Sequence, residues 1–405
     1  MHRLIKPLLL VIAGAGVFLL LSAQNKIDLS GINIDSIGKK EAAVVAVSAE
    51  VEKPKNLVTD IEIQKPLENP PTVIKAVYAT AWSASSAKKI DYFIKLIKET
   101  ELNAIVIDIK DYSGTVAYDM DYDLVGKYGA EEIKIPKINS LIKELHDEGI
   151  YVIARLAVFQ DPILAKNRPD LAAHSSSTGR VWEDKKGLEW MDPSSQEVWD
   201  YNIAIAKDAL AHGFDEVNFD YMRFASDGNM KDIKYPVWNG KTYKHIVIKN
   251  FSKYLRESLA GAKISADLFG LVTVNYDDLG IGQNLDDLFP YFDAIAPMVY
   301  PSHYTKGFNG YQNPALYPYE VVYKSMSDAQ KRLKNYMWSA STTATSFPQL
   351  RPWLQDFNLG ATYTAERVRA QITAAEKAAS TTPMGWMLWD PSNTYTQGAL
   401  LVKEL

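Results

Sequence analysis

A strand is predicted near the middle of the chain by the stretch Glu216-Val217-Asn218-Phe219-Asp220-Tyr221-Met222-Arg223-Phe224. Its β-branched and aromatic residues recur with period two, and a polar, turn-forming loop follows at 225–229. Alternation places Asn218 and Asp220 together on one face of this strand. Barrel enzymes present catalytic carboxylates near the ends of such strands, so Asp220 is the central candidate for a functional residue.

Strands and helices alternate on both sides of this stretch, which indicates a parallel sheet covered by helices. The predicted strands are 73–80, 104–110, 151–159, 216–224, 263–270, 294–302, 351–357 and 385–389. About eight strands over roughly 330 residues favour an α/β fold of the (β/α)8 TIM barrel type over an open doubly wound sheet. The glycine motifs G-x-G-x-x-G and G-x-x-x-x-G-K of the open fold are missing from the sequence.

The loops that follow the predicted strands are long, whereas those that precede them are short. The long loops include 111–136, 160–193, 225–241 and 301–318. They therefore gather at the carboxyl ends of the strands, where barrel enzymes keep their active sites. These loops are rich in aromatic residues, whose flat faces bind sugar rings. Packing of the loops onto the barrel is the alternative role for the same rings.

The composition excludes several kinds of chemistry. The sequence contains no cysteine, which rules out disulfides, iron–sulfur clusters, thiolate zinc and a cysteine nucleophile. A net charge of −5 without a dense basic patch argues against nucleic acid as a partner. The motifs G-x-S-x-G and H-E-x-x-H are absent, so neither a metal nor another cofactor is expected. The acidic run 119–123 resembles a calcium loop but has Leu124 where the turn glycine belongs.

Carboxylates near strand ends are the candidate catalytic groups. Asp220 and Asp267 stand on neighbouring predicted strands, where two carboxylates can face a bound sugar as general acid and as nucleophile or base. Pairing of either one with a lumen cation such as Lys110 or Arg155 is the alternative interpretation. Asp108 is a reserve carboxylate, and it shares a strand face with Lys110. That arrangement predicts either an internal ion pair of these two residues or a layer that contacts substrate.

Other polar and aromatic residues near the strand ends are predicted to place the sugar. Arg223 can turn inward at the end of its strand, where regular alternation breaks down, and there hold a sugar hydroxyl or stabilise a carboxylate. Gln355 shares a face with Trp353 and is expected to point inward. The predicted substrate-binding residues are Asp108, Lys110, Arg155, Asn218, Arg223, Tyr300, His303, Gln355 and Trp389.

The N-terminus predicts export. Arg3 and Lys6 precede the apolar run 7–21, and small residues follow it, which is the order found in a signal peptide. The run is short for a membrane span, so a cleaved signal peptide and a retained membrane anchor both stay open. The predicted segments are 1–23 as signal peptide or anchor, 24–72 as flexible linker and 73–405 as the barrel domain. An extracytoplasmic protein, secreted or anchored to the cell membrane, is therefore expected.

The chain also resembles a known family through several short motifs. They are Lys75-Ala76-Val77-Tyr78, the run 102–111 with Ser113-Gly114, Phe219-Asp220-Tyr221-Met222-Arg223-Phe224, the runs 265–270 and 297–304, Arg351-Pro352-Trp353-Leu354-Gln355 and the run 386–389. The family comprises uncharacterised bacterial proteins with a glycosyl hydrolase domain, distantly similar to α-amylase and α-galactosidase barrels. The resemblance covers nearly all of 73–393, and it implies a (β/α)8 barrel and glycoside hydrolysis. In one departure, an amylase-like arginine two residues before the strand-four aspartate is replaced by Asn218, and Arg223 follows the aspartate instead.

The resulting hypothesis is a barrel enzyme that hydrolyses glycosidic bonds in an extracytoplasmic polysaccharide or oligosaccharide. Asp220 is the expected nucleophile or base, Asp267 the expected acid, and both retaining and inverting mechanisms stay open. Two other classes are compatible with the same residues. One is a barrel that binds glycans without catalysis, and the other is a different carbohydrate-active enzyme such as a transglycosidase or lyase.

Overall fold

A closed barrel of eight parallel strands forms the folded domain in the computed structural model, which describes residues 59–340, 347–379 and 383–403. The strands are β1 (Lys75–Ala79), β2 (Ala104–Lys110), β3 (Tyr151–Ala157), β4 (Glu216–Asp220), β5 (Ile264–Phe269), β6 (Ala294–Met298), β7 in two segments (Gln349–Leu350 and Trp353–Gln355) and β8 (Trp386–Trp389). Neighbours in this order pair in parallel, and β8 pairs with β1 to close the ring. The predicted (β/α)8 barrel is confirmed.

Helices surround the barrel. They are α1 (Ala81–Ala84), α2 (Ala87–Glu99), α3 (Asp123–Lys127), α4 (Ile138–Asp147), α5 (Pro162–Asn167), α6 (Gln196–Ala211), α7 (Lys244–Ser258), α8 (Leu285–Leu288), α9 (Pro318–Ala340) and α10 (Ala365–Ala378). The connection between β5 and β6 contains only the single turn α8. In the part of the chain that the structure describes, none of these helices has the length and apolar character needed to cross a membrane.

Apolar residues form two packed layers, one on each face of the strands. The larger layer lies between the strands and the helices, and the smaller one fills the barrel lumen. In β1, for example, Ala76 and Tyr78 belong to the lumen layer, while Val77 and Ala79 belong to the outer layer. This alternation is the normal geometry of a barrel strand. Polar residues at the same alternating positions therefore project into the lumen.

The fourth strand is shorter than predicted, because β4 ends at Asp220 and not at residue 224. Tyr221 adopts a left-handed backbone conformation with φ of 55°, which a strand cannot continue. Asp220 consequently occupies the last position of its strand. Arg223 lies in the loop that follows, so period-two alternation no longer determines the direction of its side chain.

The internal ion pair of Asp108 with Lys110, one of the two arrangements predicted for these residues, does not form. The register between β2 and β3 shifts between these two residues, and such an irregularity redirects the side chain that follows it. Lys110 Nζ forms an ion pair of 2.8 Å with Asp161, and both side chains are fully buried. Nζ also donates to the carbonyl of Ala157 and to the side chain of Asn202 on α6. Lys110 therefore lies away from Asp108, which stays in the lumen.

Residues 59–72, which belong to the predicted linker, lie against the barrel domain. The Asp60 carboxylate accepts hydrogen bonds from the backbone N–H groups of Asn139 and Ser140 at the start of α4. The backbone N–H of Leu67 donates to the carboxylate of Asp215, which directly precedes β4. The predicted signal or anchor segment and the rest of the predicted linker lie outside the described residues.

We predict that replacing Lys110 by methionine destabilises the barrel strongly. The Asp161 carboxylate would then be buried without its cation, and breaking a buried ion pair on one side costs about 3–5 kcal/mol. Denaturant unfolding followed by circular dichroism measures the free energy of unfolding. Lys143→Met is the matched control, since Lys143 forms an exposed pair with Asp147 on α4. Exposed pairs contribute at most about 1 kcal/mol, so equal losses in both variants would contradict this account of Lys110.

Candidate active site

Arg155 on β3 lies at the centre of a polar cluster in the upper lumen. Its guanidinium donates to Asp108 on β2 at 2.6 Å and to Asp220 on β4, while its Nε lies 3.6 Å from Asp267 on β5. The strand register explains this convergence, because Asp108 and Asn218 are the direct ladder partners of Arg155 on either side. Among the described residues, no group of histidines and carboxylates is arranged to hold a metal ion. The lumen carboxylates surround a guanidinium instead.

The carboxyl group of Asp267, a member of this cluster, is almost fully buried. Its Oδ1 accepts hydrogen bonds from Asn218 Nδ2 at 2.9 Å and from Trp353 Nε1 at 2.7 Å. Burial, and after it the negative charge of Asp220, raise the pKa of Asp267 to about 7, although Arg155 and the two hydrogen bonds oppose this rise. A carboxyl group with such a pKa can donate a proton near neutral pH.

Asp220 has a different environment from that of Asp267. One carboxylate oxygen accepts a hydrogen bond from Arg155, and the other accepts from the backbone N–H of Tyr221 at 2.6 Å. The hydrogen bond from Arg155 is charge-assisted, and together the two donors fix the orientation of the carboxylate. Asp220 and Asp267 thus stand on adjacent strands, both near the same guanidinium, but with different hydrogen-bond partners.

Asp108, the reserve carboxylate, is held by Tyr78, which sequence reasoning did not assign to the site. The Tyr78 hydroxyl donates to Asp108 at 2.5 Å, and its ring stacks on Trp389 with a centroid distance of 3.8 Å. Burial raises the pKa of Asp108, against the opposing effects of Arg155 and Tyr78. Tyr78 could have been found from the sequence, because alternation in β1 places it on the same face as Ala76.

The loops after β6 and β7 form an aromatic wall of the site. The Tyr300 ring contacts His303 and Phe357, with centroid distances of 5.3 and 5.7 Å. Gln355, a predicted substrate contact, is fully buried. It accepts from the backbone N–H of Ser302 and donates to the carbonyl of Phe357, so it fastens the two loops together.

Arg223 follows the break at Tyr221 and lies among aromatic rings. Its guanidinium is 4.6 Å from the ring centre of Trp190 and 4.7 Å from that of Phe269, at the end of β5. It also donates to the Ser226 hydroxyl at 2.9 Å. Burial lowers the pKa of Arg223, against the opposing charge of Asp220. Arg223 therefore joins the ends of β4 and β5 through ring contacts.

A second polar layer, missed by sequence reasoning, lies lower in the lumen. Glu216 forms a buried ion pair with Arg351 and accepts a hydrogen bond of 2.5 Å from Ser265. Ser265 in turn accepts from Asn218, which donates to Asp267. Period-two alternation along β4 places Glu216, Asn218 and Asp220 on one face, so the pattern contained this signal.

The barrel matches a family of known proteins. A family model described as "Putative glycosyl hydrolase domain" matches residues 76–395. Among solved structures, a hypothetical protein from Ruminiclostridium thermocellum ATCC 27405 is 37% identical, covering 51% of this chain and 98% of that chain with a TM-score of 0.45. The PgaB (BpsB) glycoside hydrolase domain from Bordetella bronchiseptica is 13% identical, covering 82% of this chain and 100% of that chain with a TM-score of 0.55. The latter similarity concerns the fold. Curated proteins contain no match to the sequence.

The family match begins within β1 and ends beyond β8, so it includes every barrel strand and every carboxylate around Arg155. It agrees with the resemblance carried by the short sequence motifs, and that prediction is confirmed. The chain belongs to the family of glycosyl hydrolase domains that this description denotes.

Proposed function

We propose that the protein hydrolyses glycosidic bonds with Asp220 as nucleophile or base and Asp267 as general acid. Glycosidases need one carboxylic acid that protonates the leaving oxygen and one carboxylate that attacks or activates water. The observation that best supports this assignment of roles is the contrast between the environments of Asp220 and Asp267. The pKa of Asp267 is raised to about 7, while Asp220 shares the guanidinium of Arg155 at the open end of its strand.

The charges around the site suit the transition state of this reaction. Glycoside hydrolysis passes through a state that resembles an oxocarbenium ion and carries positive charge. Asp108 and Asp220 both accept hydrogen bonds from the single guanidinium of Arg155, so the carboxylates outnumber the cation that binds them. Arg223 contacts ring faces and hydroxyl or carbonyl oxygens. Negative groups fixed in a buried site stabilise developing positive charge effectively.

The sugar would be placed by aromatic residues of the lumen rim. Trp389 is half-buried, and the stacked pair of Trp389 and Tyr78 lies under the Arg155 guanidinium, 5.0 and 5.6 Å from the two ring centres. The partly exposed indole ring of Trp389 can bind the apolar face of a sugar, and the buried Tyr78 supports that ring. We expect the substrate to be a polysaccharide or oligosaccharide.

An extracytoplasmic location is part of this proposal. It is supported by the charged residues and the apolar run at the N-terminus, and by the absence of cysteine from the sequence. Fractionation of cells that express the full chain would test it. Recovery of the protein in the cytoplasm alone would contradict it.

Replacement of Asp220 by asparagine should lower kcat/KM by about 10²- to 10⁴-fold, because the amide can neither attack nor accept a proton. Release of reducing ends from a panel of polysaccharides measures the activity. Asp356→Asn is the matched control, since the Asp356 carboxylate is buried near the end of β7 but accepts hydrogen bonds from Thr396. Full activity of the Asp220 variant would show that Asp220 is the wrong residue. Glycan binding without any product from the unmodified protein would favour a non-catalytic barrel.

The pH dependence should identify the general acid. Because Asp267 works in its protonated form, kcat/KM should fall as the pH rises through about 7. The Asp267→Asn variant should be much less active and should lack this alkaline limb. Asp108→Asn provides the comparison, and it should keep the limb. Loss of the limb in the Asp108 variant alone would assign the acid to Asp108 instead.

Replacement of Trp353 by phenylalanine should raise the pKa of Asp267 further, because the indole N–H that favours the charged form is removed. Carboxyl ¹³C NMR of labelled aspartate measures the titration directly, without any substrate. Trp386→Phe is the control, since Trp386 is equally buried on β8 but belongs to the outer layer. A fall in the pKa of Asp267 would contradict the described hydrogen bond.

A further inference from the structure

A small apolar pocket lies between the carboxyl ends of β5 and β6. Its volume is 260 Å³, and its main lining residues are Phe269, Leu271, Met298, Tyr300, His303 and Tyr304. Pockets that hold a whole drug-sized ligand measure about 300–1,000 Å³. This pocket is thus somewhat smaller than a pocket for a whole drug-sized ligand, and it has room for part of a larger ligand.

The pocket begins at the wall of the candidate active site. Met298 and Tyr300 pack within the lumen layer, whereas Phe269, Leu271 and Tyr304 pack within the outer layer. The pocket thus extends from the lumen outward between two strand ends. Tyr300 belongs to the lumen layer together with Trp353, whose indole N–H donates to Asp267. Burial, and after it the charges of Asp267 and Asp220, raise the pKa of Tyr300.

Two polar groups of the lining have no hydrogen-bond partner among the described residues. They are the hydroxyl of Tyr300 and Nε2 of His303, whose Nδ1 lies 3.0 Å from the Ser302 hydroxyl. Burial lowers the pKa of His303, which favours the neutral form of its ring. The pocket therefore combines an apolar interior with two neutral groups that can each form a hydrogen bond.

The floor of the pocket is tightly packed around Gly270. A Cβ atom on Gly270 would lie 2.4 Å from the carbonyl oxygen of Met298 and 2.7 Å from the hydroxyl of Tyr304. Glycine is thus required for the close approach of the two loops at this point. The Tyr304 hydroxyl is fixed in turn by Ser325 on α9, at 2.7 Å. These contacts pack the floor of the pocket tightly between the two loops and α9.

We propose that this pocket binds the acyl group of an acylated sugar, such as an acetamido sugar, whose ring lies over Asp220. The acyl methyl would occupy the apolar interior. The Tyr300 hydroxyl and His303 would hydrogen-bond the amide or ester atoms that join the acyl group to the sugar. A sugar with a hydroxyl that is not acylated at the same position would leave the apolar interior filled with water. The inference rests on the proposed glycoside hydrolysis and names its substrate class.

The first experiment compares substrates that differ only in acylation. The polysaccharide that the protein hydrolyses is prepared in N- or O-acetylated and deacetylated forms, and kcat/KM is measured for both. An apolar pocket discriminates one small apolar group by about 10- to 200-fold, so the acetylated form should be preferred at least about tenfold. Equal rates, or a preference for the deacetylated form, would overturn the proposal.

The second experiment changes the size of the pocket through Leu271, which is half-buried in its lining. Leu271→Trp fills the interior and should reduce the preference for the acetylated form toward one. Leu271→Ala enlarges the interior and should shift the preference toward butanoyl over acetyl groups. Leu401→Trp is the control, because the exposed Leu401 lies beside Glu101, at the opposite end of the barrel from the site. An unchanged acyl preference in both Leu271 variants, with Tm values confirming that at least one is folded, would overturn the proposal.

Binding to the Asp220→Asn variant separates this inference from the proposed function. N-Acetylglucosamine and N-acetylgalactosamine are compared with glucose and galactose by saturation-transfer NMR, which needs no turnover. Preferential binding of the acetamido sugars, abolished by Leu271→Trp, would support the pocket even if no hydrolysis were found. Hydrolysis without any acyl preference would overturn the pocket and leave the proposed function intact.

Discussion

The guanidinium of Arg155 is the interaction on which the polar lumen depends. It sits on β3 and connects Asp108 on β2, Asp220 on β4 and Asp267 on β5. Carboxylates confined together in a buried space repel one another and lose hydration, which is tolerable only when a cation and hydrogen bonds compensate. Because one guanidinium can donate in several directions, it holds these groups at fixed positions on successive strands. The geometry of the candidate site follows from that constraint.

The two polar layers of the lumen place the carboxyl groups in different environments. Below Arg155, Glu216 is neutralised by Arg351, and Ser265 and Asn218 continue the hydrogen-bonded chain to Asp267. Asp267 is therefore enclosed, and its pKa rises. Asp220 stands at the last position of β4, where the chain turns. Asp220 and Asp267 thus follow each other in the register of adjacent strands but have different hydrogen-bond partners.

Irregular backbone at the ends of two strands shapes the surroundings of the candidate site. The left-handed Tyr221 ends β4 and brings Arg223 against Phe269 at the end of β5. The close approach at Gly270 shapes the acyl pocket beside Tyr300. Both features lie at the carboxyl ends of the strands, where loops can vary without disturbing the barrel.

The sequence by itself determined the barrel, the family, and the positions of Asp220 and Asp267 on adjacent strands, because period-two alternation and strand order are local signals. Only the tertiary structure decided which side chains each of these polar residues contacts. The bulge in β2 turned Lys110 toward Asp161, Tyr78 took the place beside Asp108, and Gln355 was buried as a link between loops. These outcomes depend on residues far apart in the chain and on backbone irregularities that alternation does not encode. A side chain's direction at a bulge or strand end is fixed by its neighbours in space.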